Sequence, residues 1–338
     1  MNGATMIPPD AQQDPLQITK QSGSNFLAGF LCLDARRRHG MTVVYAFCRV
    51  VDDAVDDAPD VVTARGRLAF WKRELDACDG GQPETPVGIA LKAVVEEFSI
   101  PLGALEDLID GCAMDLNPAG IADGEELELY CYRVASAVGL ACLPVLGATS
   151  IGAEKFAHAL GQALQFTNVL RDLRGDAEIQ RCYAPKTWLA EFGITAEDLL
   201  GTGDARHYVS VSGVGASGVG VSGIGASRGA ATGGGIAGEE TAGAPNSEEQ
   251  VVDGGVTQLC RRLAGIAREQ FAVARSELRR LPLRERRALV APRIMGAIYG
   301  DLLRRLELRG GAIAGPRIRV PRARKLWLAA SVWIGARA

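Results

Sequence analysis

Apolar residues recur every three to four positions along most of the chain, and strand-like alternation is nearly absent. The stretch Arg36 to Asp57 keeps this helical spacing, with no Gly or Pro after Gly40. Arg65 to Ala77 is a second amphipathic run. Pro86 and Pro101 open two more, reaching Phe98 and Asp115, as expected of proline in a first helical turn. Glu125 to Gly147 is long and mostly apolar, with Pro144 as its predicted kink. Ala153 to Leu173, Val256 to Leu281 and Arg284 to Leu308 complete the set. The pattern predicts an all-α fold.

One segment breaks the pattern. Residues 208–255 are rich in Gly, Ala, Ser and Val, with near-repeats such as Val-Ser-Gly-Val-Gly-Ala-Ser-Gly. The alternating valines of Tyr208 to Val221 are interleaved with Gly and Ser, which lower strand propensity. This composition buries too little apolar area to offset chain entropy. The expected organisation is a flexible N-terminus (1–20), one helical domain (21–207 and 256–330) and a low-complexity flexible insert (208–255). No Gly-x-x-x-x-Gly-Lys-Ser/Thr phosphate loop occurs in it.

Composition narrows the function classes. The chain has 338 residues, 47% apolar, enough for a sizeable core. A net charge of −3 gives no drive toward nucleic acid, and no such partner is expected. From Arg261 onward arginine is abundant. That end suits diphosphates or an anionic membrane face, and equally a set of solvated helix faces. The eight cysteines form no Cys-x-x-Cys pair and mostly sit in apolar company, as core residues of a reducing compartment do. Met1 to Asp14 shows no signal pattern, and no uncharged apolar run reaches about 18 residues. Leu326 to Ile334 is apolar but short. It reads as a core helix, with bilayer contact as the alternative. The expected location is cytoplasmic, with peripheral contact at the inner membrane face as a further expectation.

Two constellations carry candidate chemistry. The first is Arg49-Val-Val-Asp52-Asp53-Ala-Val-Asp56-Asp57. Residues four apart share a helix face, so Asp52 and Asp56 point together, roughly 6 Å apart along the axis. The second runs from Gln165 to Asp176, where Gln165, Asn168, Asp172 and Asp176 share a face at i, i+3, i+7 and i+11. A single Asp-x-x-x-Asp is usually a solvated face. Two of them on separate apolar helices, each with arginine nearby, suit a diphosphate held through Mg²⁺. Zinc would want His or Cys, and the three histidines are poorly placed. Removing Asp52 or Asp172 is expected to relieve repulsion and spare the fold.

Here the sequence resembles the squalene and phytoene synthases. The matching pieces run in order: Ser22-Gly-Ser-Asn-Phe26, Tyr45 to Asp56, Tyr130 to Gly139, Gln165 to Asp176, Arg181-Cys-Tyr183-Ala-Pro185, Ile298-Tyr299 and Arg317 to Leu326. The resemblance implies a class I isoprenoid synthase bundle with a central cavity. It implies Asp52, Asp56, Asp172 and Asp176, with Asn168, as Mg²⁺ ligands. Arg49, Arg171 and Arg317 would hold diphosphates, and Gln165 and Asn168 the second substrate. Tyr45, Tyr130 and Tyr299 match pocket-lining tyrosines, ordinary core packing being the plainer alternative. Tyr130 is the candidate to assist ionisation or proton removal, so Tyr130, Asp52 and Asp172 form the catalytic set. Phe26 and Phe30 match chain-lining aromatics, and Asp115 is a weaker candidate near the metals. Three positions depart from the family pattern. Gly175 stands in place of Glu, and Gln180 and Ala184 replace Gly and Leu of Gly-Arg-x-Tyr-Leu-Pro.

Within the family the chain looks most like bacterial presqualene diphosphate synthases of the hopanoid pathway. That implies head-to-head joining of two farnesyl diphosphates, without NADPH. Downstream squalene-pathway enzymes are the implied protein partners. The alternatives are a phytoene or dehydrosqualene synthase and, from another class, a non-catalytic prenyl-lipid-binding helical protein. A di-iron bundle would need Glu-x-x-His pairs, which the sequence lacks.

Overall fold

The computed structural model describes residues 8, 11–21, 30, 32–200, 247–310, 313 and 315–337, and among these it is helical with no strand. The helices are α1 (Pro15–Gln21), α2 (Ala35–Asp56), α3 (Val61–Asp76), α4 (Pro86–Phe98), α5 (Leu102–Met114) and α6 (Gly124–Cys131). They continue with a π-helical turn (Tyr132–Ser136), α7 (Ala137–Leu146), α8 (Ile151–Glu178) and α9 (Lys186–Glu191). After the undescribed segment come α10 (Ser247–Arg280), α11 (Leu283–Ala288), α12 (Val290–Leu308) and α13 (Arg322–Arg337).

Local chemistry sets the starts. Asp34, Asp60, Thr85, Asp123 and Ser150 each accept a backbone N–H three residues on, at the first turns of α2, α3, α4, α6 and α8. Helix α8 is the central element and packs along α10 and the π turn. Its crossing with that turn is tight. A Cβ at Gly161 would lie 2.5 Å from Ser136 Cα, so only glycine lets the backbones meet. The Ser136 hydroxyl donates to the His158 carbonyl there, at 2.8 Å. Trp71, fully buried, meets Phe47 edge-on with centroids 6.3 Å apart.

Several expectations need correction. Residues 15–20 are not a flexible tail. They form α1, which packs on α2 through buried Ile18 and Thr19. The helix read as starting at Val256 starts at Ser247, inside the segment read as insert; residues 201–246 lie outside the described residues. Gly254 and Gly255 hid this extension. A Cβ at Gly255 would meet the Phe192 carbonyl oxygen at 2.6 Å, so that glycine marks a close approach, not a loop. Pro144 sits inside α7, and the π turn is the irregularity in the long apolar run. Gly124–Leu146 is apolar enough by length and composition to cross a membrane, with hydropathy 1.6, but half of that window is buried inside the bundle. Leu326–Ile334 is not a core helix. It lies on the surface, with Leu326 71% and Ile334 64% exposed.

Candidate active site

An apolar cavity opens between α2 and α8. Its space is about 1250 Å³ including the mouth. The walls are side chains such as Met41, Val138, Leu143, Phe156, Leu160 and Met295. Phe30 lines it and meets Tyr45 edge-on at 6.4 Å. Tyr45, Arg49 and Asp52 reach it from α2, Gln165 and Asn168 from α8, and Tyr299 from α12. Phe26 lies outside the described residues.

The α2 wall carries more negative charge than its partners neutralise. Asp52 is 9% exposed. Burial, then the neighbouring Asp56, pushes its carboxyl well above the ordinary range, against the pull of Arg49. Arg49 stands 3.4 Å from Asp52 and 2.5 Å from Asp53. Asp56 is also raised, by burial first, although Arg181 donates to its Oδ1 at 2.7 Å.

The α8 wall is balanced differently. Burial alone would raise Asp172, but Arg171 and Arg317 outweigh it and hold its carboxyl below the usual value. Arg317 binds both Asp172 oxygens, at 2.6 and 2.7 Å, and Arg171 Nε donates to Oδ1 at 2.9 Å. Tyr299 lies beside the Arg171 guanidinium. One turn on, Asp176 is pushed up to about 8 by burial and by the charge of Asp172. Asn168 donates to Gln165 Oε1 at 3.2 Å, while its own buried Oδ1 has no partner.

Arg181 links the walls, because it bonds Asp56 and its charge also reaches Asp176. Sequence alone places Arg181 in the motif before Tyr183 and Pro185 but gives it no role. Its position comes from a Schellman turn that ends α8. The Arg181 N–H bonds the Asp176 carbonyl at 2.8 Å and the Gln180 N–H bonds Ala177 at 3.0 Å. Gln180 therefore sits at φ 61°, the left-handed region that favours glycine. The departure at Gln180 falls where the backbone asks for Gly. Gly175 is exposed with open space around it, and Ala184 is buried.

Tyr130 is fully buried but does not line the apolar cavity. It faces a second, more polar cleft with Asp115, Asn117, Arg181 and Tyr183. Its ring stacks on Tyr183 at 4.9 Å, and Tyr183 donates to Asp115 Oδ1 at 2.8 Å. The Tyr130 hydroxyl itself makes no well-formed hydrogen bond. Asp115 is raised to about 6, chiefly by burial. Tyr183 was not singled out in the sequence, though it stands in the motif after Arg181.

Among the described residues, no three of His, Cys, Asp and Glu converge into a ready cage. The facing carboxylates and the orphaned Asn168 oxygen are hard donors. They fit Mg²⁺, which takes few protein ligands and completes its shell with water and phosphate oxygens.

A helical bundle with an apolar cavity between two aspartate-bearing helices defines a class I isoprenoid synthase fold. The squalene/phytoene synthase family pattern matches residues 19–212. Presqualene diphosphate synthase of Zymomonas mobilis is 30% identical over 92% of this chain and 89% of its own length. The 15-cis-phytoene synthase of Synechocystis sp. is 36% identical over 56% of this chain and 60% of its own. Squalene synthase HpnC from Alicyclobacillus acidocaldarius superposes with a TM-score of 0.64, at 22% identity, covering 88% of this chain and 92% of that one. A dehydrosqualene synthase in complex with ligand gives 0.65 at 21% identity, covering 96% and 99%. The chain belongs to the squalene/phytoene synthase family, whose members are prenyltransferases.

Proposed function

We propose that the protein joins two farnesyl diphosphates head to head and releases one diphosphate, giving presqualene diphosphate. The observation that carries this reading is the pairing of an apolar cavity with carboxylates and arginines at its polar end. Similarity to a presqualene diphosphate synthase across nine-tenths of both chains supports the product.

In this reading, Asp52, Asp56, Asp172, Asp176 and the Asn168 oxygen hold Mg²⁺. When bound, it neutralises the leaving diphosphate. Arg49, Arg171 and Arg317 bind the phosphate oxygens, and Gln165 orients the second substrate through Asn168. The C1–O bond of one substrate breaks and the electron pair leaves with diphosphate. The double bond of the second substrate attacks C1, and loss of one proton closes the three-membered ring. Phe30, Tyr45 and Tyr299 flank the chains, and the apolar walls keep water from the cation. Tyr130, buried beside Tyr183 and Asp115, is the group this reading assigns to assist ionisation or the proton step. NADPH is not required.

The test is incubation with farnesyl diphosphate and Mg²⁺, with and without NADPH, and product identification by mass spectrometry. Presqualene diphosphate in both cases is expected. A second reading, phytoene or dehydrosqualene synthase, is supported by the 36% identity to a phytoene synthase and would show as that product. Absence of any product from farnesyl or geranylgeranyl diphosphate would overturn both and favour a non-catalytic lipid binder.

A further inference from the structure

The apolar cavity has a polar end and a far end, and helix pairing tells them apart. Helices α7 and α8 run antiparallel. A Cβ at Gly161 would meet Ser136, just before α7, and one at Gly139 would lie 3.5 Å from Ala157. Gln165 and Asn168 follow Gly161 on α8 and, with Arg49 and Asp52, mark the polar end. Leu143 lies one turn past Gly139 in the opposite direction. Helix α2 brings Met41 to that same end, because a Cβ at the adjoining Gly40 would lie 2.9 Å from Val145 of α7. About 16 Å of helix axis separates Met41 from Asp52. The cavity thus ends on a floor of Met41, Leu143, Leu146 and Phe156.

Beyond that floor lies a separate cleft of about 1610 Å³ including its mouth, between α5, α7, α8 and α10. Its rim is polar: the Tyr132 hydroxyl donates to Asp107 at 2.9 Å, and His158 is exposed beside it. The residues of α7 divide between the two spaces. Gly139 and Cys142 face the cavity, and Leu140 and Pro144 face the cleft. Helix α8 divides likewise, with Phe156 and Leu160 on the cavity side and Lys155 and His158 on the cleft side. Among the described residues, Leu143 alone lines both. It is 4% exposed, so its side chain closes the gap between them.

We propose that Leu143 sets the longest prenyl chain the enzyme accepts, acting as a plug between the reaction cavity and the surface cleft. This rests on the prenyl diphosphate reading above and adds to it the residue that selects chain length. One further isoprene unit would have to push Leu143 into close-packed surroundings, which a core resists. Truncating Leu143 does more than deepen the floor. It joins the cavity to a cleft open to water, so the chain end passes out and later units meet no second wall. A residue that only lined a closed floor would admit one more unit and stop the next.

The test is equilibrium binding of the unreactive thiodiphosphate analogues of farnesyl, geranylgeranyl and geranylfarnesyl diphosphate to the full chain with Mg²⁺. Turnover of the corresponding diphosphates in competition follows. The unmodified chain should favour the farnesyl analogue. Leu143→Ala should shift preference toward both longer analogues alike, by about tenfold or more. Leu140→Ala, which enlarges the cleft alone, should leave the preference where it was. Leu143→Val, with a smaller shift in the same direction, keeps the test open where the alanine variant misfolds. An unchanged preference in a Leu143 variant with native circular dichroism would overturn the proposal. So would an equal shift from Leu140→Ala, an unmodified chain that holds all three analogues equally, or an alanine variant that gains the geranylgeranyl but not the geranylfarnesyl analogue. The binding arm needs no chemistry. A chain that shows the expected binding shifts yet makes no product would refute the proposed reaction and support the plug.

Discussion

Gln180→Gly should stabilise the protein. Gln180 is held at φ 61° by the two hydrogen bonds of the Schellman turn. An L-residue with a Cβ costs roughly 1–2 kcal/mol in this region. Glycine removes that cost but loses more freedom on folding, about 0.5–1 kcal/mol. The side chain is exposed, so no packing is lost. The net gain is about 0.5–1 kcal/mol, or roughly 1–3 °C in Tm for a domain of this size. Gln180→Val, with a branched Cβ, should move Tm the other way. Thermal and urea unfolding of the three proteins, with Mg²⁺ held constant, give the comparison. A glycine variant no more stable than the parent, with a valine variant equal to both, would refute the strain argument. It would mean that the turn is not the left-handed one described and that Arg181 is not fixed by it.

Other outcomes follow from the same geometry. Gly161→Ala should lower stability by about 1–3 kcal/mol, because the new methyl meets Ser136 backbone; an unchanged urea midpoint would contradict the close crossing. The metal-free protein should lose stability as pH rises from about 4 to about 8, since Asp176 titrates near 8 when folded against 3.8 ordinarily and so favours the folded state only while protonated. Added Mg²⁺ should therefore raise Tm more at pH 8 than at pH 5.5, and an equal shift at both would speak against these carboxylates as the binding group. Asp52→Asn and Asp172→Asn should both abolish turnover yet differ in stability. The first removes a raised, repelled carboxyl and should be neutral or stabilising without metal. The second strips Arg171 and Arg317 of their shared partner and should cost about 1.5–3 kcal/mol, so equal Tm values would sink the assignment.

That last contrast marks where sequence reasoning stopped. The spacing of Asp52 and Asp56, and of Asn168, Asp172 and Asp176, was plain because helix periodicity is local. Both helices also carry readable caps, Asp34 and Ser150. The same local logic treated the two aspartate pairs as equivalent. Arg317 lies 145 residues from Asp172, and spacing along one helix carries no trace of that pairing. Arg181 and Asp56 are 125 residues apart and equally hidden. Tyr130 is visible in sequence, but the π turn that follows it resets which residues face the cavity, and no propensity announces such a turn. The run Leu326 to Ile334 failed differently. Composition gives apolarity but not the side on which the neighbours lie.

The electrostatic difference between the walls has a consequence for how substrate enters under the proposed reaction. On α8, two guanidinium groups already satisfy Asp172 and keep it ionised. A diphosphate approaching this wall does not have to recruit cations from solution. Arg171 and Arg317 can turn from Asp172 to phosphate oxygens, exchanging one set of charge-assisted hydrogen bonds for another, once a cation takes their place on that carboxylate. On α2, Asp52 and Asp56 share Arg49, with Arg181 added at Asp56, and burial still keeps both carboxyls raised. The demand for added positive charge is therefore concentrated at Asp52, Asp56 and Asp176. Supplying a cation there releases protons and leaves Asp172's arginines for the diphosphate. Metal and substrate then satisfy opposite deficits of one site, so each should tighten the binding of the other.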